Sequence, residues 1–170
     1  MWHCFAMTGN TVRYVVLKLQ VLGFVLCLGG LAACGSQEIG VNVVGYNHTS
    51  QDIGHFTVNG RGGSFLAAHE GGGKFACCVS IPEPWKPGLT AVVGWTDDHD
   101  NNYQERVVPV PRYEKLGDFA VHFLANGEIK VFVTMNALWH PDYPLKGADA
   151  QLKPGQDPTG PWGRNSRVSN

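Results

Sequence analysis

Carboxylates, imidazoles, thiols and indoles carry most of the chemistry open to a polypeptide, and here they gather in few places. Asp97-Asp98-His99-Asp100-Asn101-Asn102 is the densest run. Carboxylates and amides suit calcium, and a histidine among them suits a transition metal. The spacing does not match a calcium loop, since it has no glycine in sixth position and no closing glutamate. A polar hairpin tip is the plain reading. If it works, it works as an acidic patch of Asp97, Asp98 and Asp100 that meets a basic partner, and no metal site is expected. The seven histidines form no pair at metal-ligand spacing. His48 and His55 lie either side of a turn, and His122, between Val121 and Phe123, should point to solvent.

Nucleophiles fare no better. A serine hydrolase wants Gly-x-Ser-x-Gly, but Phe65 follows Gly63-Ser64, and Ser80 lies in a strand pattern with no such elbow. A reactive cysteine needs a histidine or a helix end beside it, and nothing places Cys77 or Cys78 there. The Gly71-Gly72-Gly73 run has no following Lys-Ser or Lys-Thr and opens no helix, so it reads as a tight or flexible loop rather than a phosphate cradle. No catalytic set and no cofactor are expected, and the chain reads as a non-enzyme. Large aromatics on loops remain. Trp85 sits among Pro82, Pro84 and Pro87, and Trp139-His140-Pro141-Asp142-Tyr143-Pro144 follows the last strand. Aromatics are enriched at interface hot spots, and they also cap sandwich cores. Trp95, inside a strand, reads as core.

The N-terminal stretch is of another kind. Arg13 and Lys18 precede a largely apolar run, Leu19 to Ala32, that ends in small residues. A basic region, an apolar region and a small-residue cut define a secretory signal. Lys18, Gln20 and Gly29-Gly30 leave the run short of the roughly 20 apolar residues a membrane span needs. Leu31-Ala32-Ala33-Cys34 resembles the lipobox of bacterial lipoproteins. That resemblance implies cleavage before Cys34, lipidation of its thiol and a membrane anchor. Gly35 and Ser36, rather than aspartate, follow the cysteine, which in that pattern implies the periplasmic face of the outer membrane.

Loss of residues 1–33 leaves 137 of the 170, ample for one domain. Arg13 and Lys18 go and no acid goes, so 11 basic residues face 14 acidic ones, a net charge of −3. No clustered basic face marks a nucleic-acid binder. Of five cysteines, only Cys77 and Cys78 stay as mature thiols. They read either as small hydrophobes, with Cys77 buried and Cys78 less so, or as a vicinal disulfide. In a regular strand neighbouring side chains point to opposite faces, so a bridge needs a local turn.

The positioning elements are strands. Ile39–Tyr46, Ile53–Val58, Phe75–Ile81, Leu89–Trp95, Gln104–Val110, Phe119–Leu124 and Ile129–Met135 read as about seven. Phe75–Ile81 should be buried on both faces. Pro109 and Pro111 mark Gln104–Val110 as an edge strand. Asn59-Gly60 and Asn126-Gly127 are strong turn signals, and Arg61–Lys74 is loop-like. The expectation is an all-β, single β-sandwich, plausibly immunoglobulin-like. It occupies residues 39–145, after a 1–33 signal and a 34–38 lipidated tether. Residues 146–170 lack the hydrophobes to offset ordering entropy and read as a flexible tail.

Gly45-Tyr46-Asn47-His48-Thr49, Cys77-Cys78-Val79-Ser80-Ile81-Pro82, Trp85-Lys86-Pro87-Gly88-Leu89 and Pro141-Asp142-Tyr143-Pro144 carry a wider likeness. Over about residues 40–145 the chain resembles a family of uncharacterised proteobacterial lipoproteins, often encoded beside type VI secretion components and lipase-type effectors. The resemblance implies an immunity role: a lipid-anchored periplasmic protein that binds and neutralises a phospholipase toxin. It supplies no catalytic residues to carry over. On that reading the partner is held through Trp85, the loop with Asp97, Asp98 and Asp100, and the segment with Trp139, Asp142 and Tyr143. No nucleic acid or small-molecule substrate is expected. The alternative is an envelope structural or assembly lipoprotein without a toxin partner.

Overall fold

The computed structural model describes residues 35–155. The expected signal peptide, the lipid-attachment residue Cys34 and the tail from 156 onward lie outside the described residues, as do the side chains of 73–75. Eight strands follow one another: β1 Gln37–Asn47, β2 Phe56–Val58, β3 Arg61–Gly62, β4 Gly71–Glu83, β5 Thr90–Trp95, β6 Gln104–Pro109, β7 Asp118–Phe123 and β8 Ile129–Thr134. They form two four-stranded sheets, ordered β4-β1-β7-β8 and β3-β2-β5-β6. The expected all-β sandwich is therefore the architecture. Its strand order differs from the immunoglobulin pattern, because β1 lies between β4 and β7 and runs parallel to β7. No helix among the described residues is long and apolar enough to cross a membrane.

Turn chemistry sets the hairpins. Asn59 (φ 51°) and Gly60 (φ 71°) link β2 to β3, and Gly127 (φ 81°) sits in the turn from β7 to β8. These are left-handed conformations that Asn and Gly adopt at least strain. β6 is an edge strand, as its flanking prolines suggest.

Inward-facing side chains of both sheets interdigitate. Val43, Phe119 and Val121 of the first meet Phe56, Val58 and Val93 of the second, each at most 1 % exposed. Each such large side chain contributes about 1.5–3 kcal/mol on leaving water. Gly45 makes room for this contact. A Cβ there would lie 2.7 Å from Leu66 and 2.8 Å from the Phe56 ring.

The first sheet is apolar on its outer face too. Val44, Tyr46, Ala120 and Leu124 are buried there beneath Leu138, Tyr143, Leu145, Ala150 and Leu152. The chain after β8 thus returns across the sheet as a strap, with a short 3₁₀ turn at Gly147–Ala150. This corrects the flexible-tail expectation for 146–152. Sparse hydrophobes do order this segment, because Ala150 (3 % exposed) and Leu152 (5 %) reach an apolar face waiting for them.

Three further expectations change. The stretches buried on both faces are β7 and the second half of β1, not Phe75–Ile81. In β4, Val79 and Ile81 are buried but Cys77 and Ser80 are exposed, since β4 is an edge strand. Gly71–Gly73 is not a loop but the start of β4. A Cβ on Gly71 would lie 2.6 Å from the Gly45 carbonyl oxygen and Tyr46 Cα, so glycine lets β4 approach β1. Finally, Cys77 is exposed rather than buried, and it is disulfide-bonded to Cys78. Val41 pairs with Val79 and Val43 with Ala76, so both cysteines stand opposite Asn42 alone. This β-bulge breaks the strict alternation that would send the two sulfurs to opposite faces.

Two outcomes test this packing. Ending the chain at Leu145 should lower the urea midpoint, and Leu152→Ala alone should cost about 2–4 kcal/mol; a free tail would leave both unchanged. Gly45→Val should cost about 1–3 kcal/mol through overpacking, read from the same denaturation curves.

Candidate functional site

The acidic run forms the connection between β5 and β6, and its own side chains build it. Asp97 Oδ1 accepts the backbone N–H of His99 (3.0 Å) and of Asn101 (2.8 Å), while Oδ2 accepts Asn102 Nδ2 at 2.7 Å. The Asn101 N–H, foremost among these bonds, holds the Asp97 carboxyl below its usual range. Asp100 (φ 58°) and Asn102 (φ 53°) take the left-handed conformations that short polar side chains tolerate. Asp100 Oδ1 lies 2.8 Å from His55 Nδ1 and accepts Thr96 Oγ1 at 3.3 Å. The His55 bond lowers the Asp100 pKa most. Asp97 and Asp100 are therefore struts of the loop, and exposed Asp98 is the acid it presents.

This loop is one wall of an open cleft of about 600 Å³ at the pole where β1, β5 and β7 end. The 49–53 segment and the β7–β8 turn form the other walls, with Trp95 and Phe123 also lining the cleft. Asp52, Asp97, Asp98 and Glu128 line it, with no lysine or arginine in the lining. The nearest guanidinium is committed elsewhere: Arg106 stacks 5.7 Å above the Trp95 ring and donates to the Gly127 carbonyl at 2.7 Å. Those contacts tie the second sheet to the β7–β8 turn of the first. Lys130 is held by Asp149 at 2.8 Å, which raises its pKa. Among the described residues, no three His, Cys, Asp or Glu side chains gather in a way that could hold a metal ion.

A second polar assembly lies under the strap. His48 Nδ1 is 2.9 Å from the Gln151 carbonyl, His48 Nε2 is 2.9 Å from His122 Nδ1, and His122 Nε2 is 2.6 Å from the Tyr143 hydroxyl. Burial pushes the pKa of His122 well down and that of His48 down, so both rings are neutral at pH 7. Neutrality fixes the proton order. A carbonyl only accepts, so His48 Nδ1 carries its hydrogen and Nε2 accepts from His122 Nδ1. His122 Nε2 then accepts from the Tyr143 hydroxyl, whose pKa burial drives far upward. Tyr46 stacks on His122 with centroids 4.6 Å apart and planes 3° from parallel. His69 Nδ1 adds a bond to the Leu152 carbonyl at 2.7 Å.

The expected partner-binding residues do not come together. Asp97 and Asp98 line the acidic cleft, and Asp100 braces it. Trp85 is at the opposite pole, beside a separate hollow of about 420 Å³ with Arg112 and Tyr113, and donates Nε1–H to the Val110 carbonyl. The length of β5, about 17 Å, separates the two places. Trp139 borders a third hollow, of about 310 Å³, with Met135 and Pro141, and Asp142 is exposed nearby. Tyr143 is no surface residue: at 1 % exposure it is the anchor of the strap. Nor does His122 reach solvent. It points to the outer face as alternation requires, but the strap covers that face and leaves it 0 % exposed. A polar residue between Val121 and Phe123, with a second histidine after Tyr46-Asn47, was the available signal.

The fold and its loop-built pole thus define a two-sheet β protein that presents a braced acidic cleft. The chain belongs to the family described as a protein of unknown function (DUF3304), whose model matches residues 46–131. That stretch holds Tyr46, His48, His122 and the acidic loop, and ends before the strap. No curated protein and no solved structure matches the chain.

The relay makes stability depend on pH with a definite sign. Both histidines have folded-state pKa values below the 6.5 of the free side chain. Below pH 6.5 the unfolded chain therefore binds more protons than the folded one, and stability falls as pH drops toward the folded values. Asp149 opposes the His48 shift, while Lys130 and His48 reinforce that of His122. Urea midpoints should decline from pH 7 to pH 5. His122→Gln should lower the unfolding free energy at pH 8 by about 1–3 kcal/mol, and its midpoints should decline less steeply.

Proposed function

We propose that this protein is an envelope lipoprotein that binds a protein partner at its acidic pole and neutralises it, the partner being a lipase-type effector acting in the same compartment. One observation carries the reading to this pole: the 97–102 loop is braced by its own carboxylates and by His55, so its charge is presented in a fixed geometry. A rigid scaffold with functional loops at one end suits recognition. Four lining acids around a cleft that Trp95 and Phe123 also line suit an inserted lysine or arginine, with apolar surface for its stem. The resemblance to immunity lipoproteins supports the same role. Anchoring would concentrate the inhibitor where a phospholipid-attacking enzyme must arrive.

The test is co-expression with a periplasmically directed lipase encoded beside this chain, together with binding of the purified pair. Cells should survive only with the inhibitor present. Asp98→Lys combined with Glu128→Lys alters exposed charges and spares the loop braces. It should slow association about tenfold or more and flatten its salt dependence, with the urea midpoint unchanged. Undiminished association in that variant would remove the acidic pole as the interface.

A further inference from the structure

We infer that the pole opposite the acidic cleft is the face this protein turns to a phospholipid bilayer, which places the cleft at the far end of the domain. The inference rests on the reading of Cys34 as the lipid-bearing residue. β1 begins at Gln37, and Gln37 pairs with Glu83, so the chain enters the domain beside Pro84 and Trp85. Cys34 precedes Gln37 by three residues, and three extended residues span at most about 11 Å. A lipid on Cys34 therefore holds this pole close to the headgroups.

The chemistry of the two poles agrees with that placement. At the entry pole Trp85 is half-buried, with Tyr113 beside it. Lys86, Arg112 and Lys115 there balance Glu38, Glu83 and Glu114 in number. Tyr113 is buried there with its hydroxyl on the Pro82 carbonyl, so Trp85 is the aromatic this pole presents. An indole suits the boundary between water and lipid, and a balanced set of charges meets no net repulsion from anionic headgroups. The far pole carries Asp52, Asp97, Asp98, Asp100 and Glu128, and its guanidinium, Arg106, is held against Trp95 and the Gly127 carbonyl. Near an anionic surface that pole would be repelled. The length of β5, about 17 Å, separates the two poles, about two screening lengths at physiological salt. A partner gripped at the cleft is thereby held off the bilayer.

The test uses the full lipidated chain, with Trp162→Phe as background, in vesicles of phosphatidylethanolamine and phosphatidylglycerol containing brominated acyl chains. Brominated lipid should quench the protein's fluorescence, and Trp85→Phe should remove most of that quenching. Trp95→Phe and Trp139→Phe should leave it in place. Should Trp85→Phe fail to fold, Lys86→Glu with Lys115→Glu should weaken the quenching instead. Quenching carried by Trp95 or Trp139 would overturn the orientation. So would its absence from a protein that mass spectrometry shows acylated at Cys34. If no acyl group is found there and the protein does not sediment with vesicles, the anchor reading itself fails, and the orientation with it.

Discussion

A sheet that is apolar on both faces must be covered twice, and the rest of this molecule follows from that constraint. The second sheet covers the inner face with side chains of matching period. The outer face is covered by a strap with almost no regular structure, and such a segment brings backbone carbonyls under cover without ladder partners. His48 and His69 answer the carbonyls of Gln151 and Leu152, and His122 takes the Tyr143 hydroxyl. Burying neutral imidazoles is affordable where each nitrogen has a partner, and costly where one has none. The strap and the histidines are therefore one device: the apolar contacts supply affinity, and the relay supplies register.

The same covering decides what is left for recognition. With both of its faces occupied, the first sheet leaves free only its strand ends and edge strands, while the second sheet keeps an exposed outer face carrying Val107 and Tyr103. The edge at β4 is irregular, carrying the Cys77–Cys78 bulge, and such a kink discourages pairing with another chain's strand. The two poles differ in kind. One is where the chain enters, with prolines, Trp85 and balanced charge. The other is built of loops whose acids are fixed by hydrogen bonds to backbone and histidine. The domain thus has two chemically distinct ends.

Aromatic loop residues show that chemical type alone does not tell where a side chain will lie. Trp85, Trp139 and Tyr143 share composition and a loop setting, yet one braces the entry pole, one borders a hollow beside Met135, and one is buried against Tyr46 and His122. Aromatics close a core end as readily as they greet a partner. The acids were more legible, because a polar run between two apolar strands has few places to go but a hairpin tip.

Local order was readable from the chain by itself: the alternation that makes Phe119–Leu124 and Ile129–Met135 strands, the Asn59-Gly60 and Asn126-Gly127 turns, the prolines beside the edge strand, and so the two-sheet class. These depend on a residue and its near neighbours. Tertiary structure alone decided whether an outward-pointing side chain meets water, as His122 does not, and whether a sparse segment such as 146–152 is ordered. It also decided whether two adjacent cysteines share a face. Each of those outcomes turns on a partner far along the chain: a strap arriving over β7, or Asn42 standing opposite two residues at once. No local periodicity records what will come to lie on the other side.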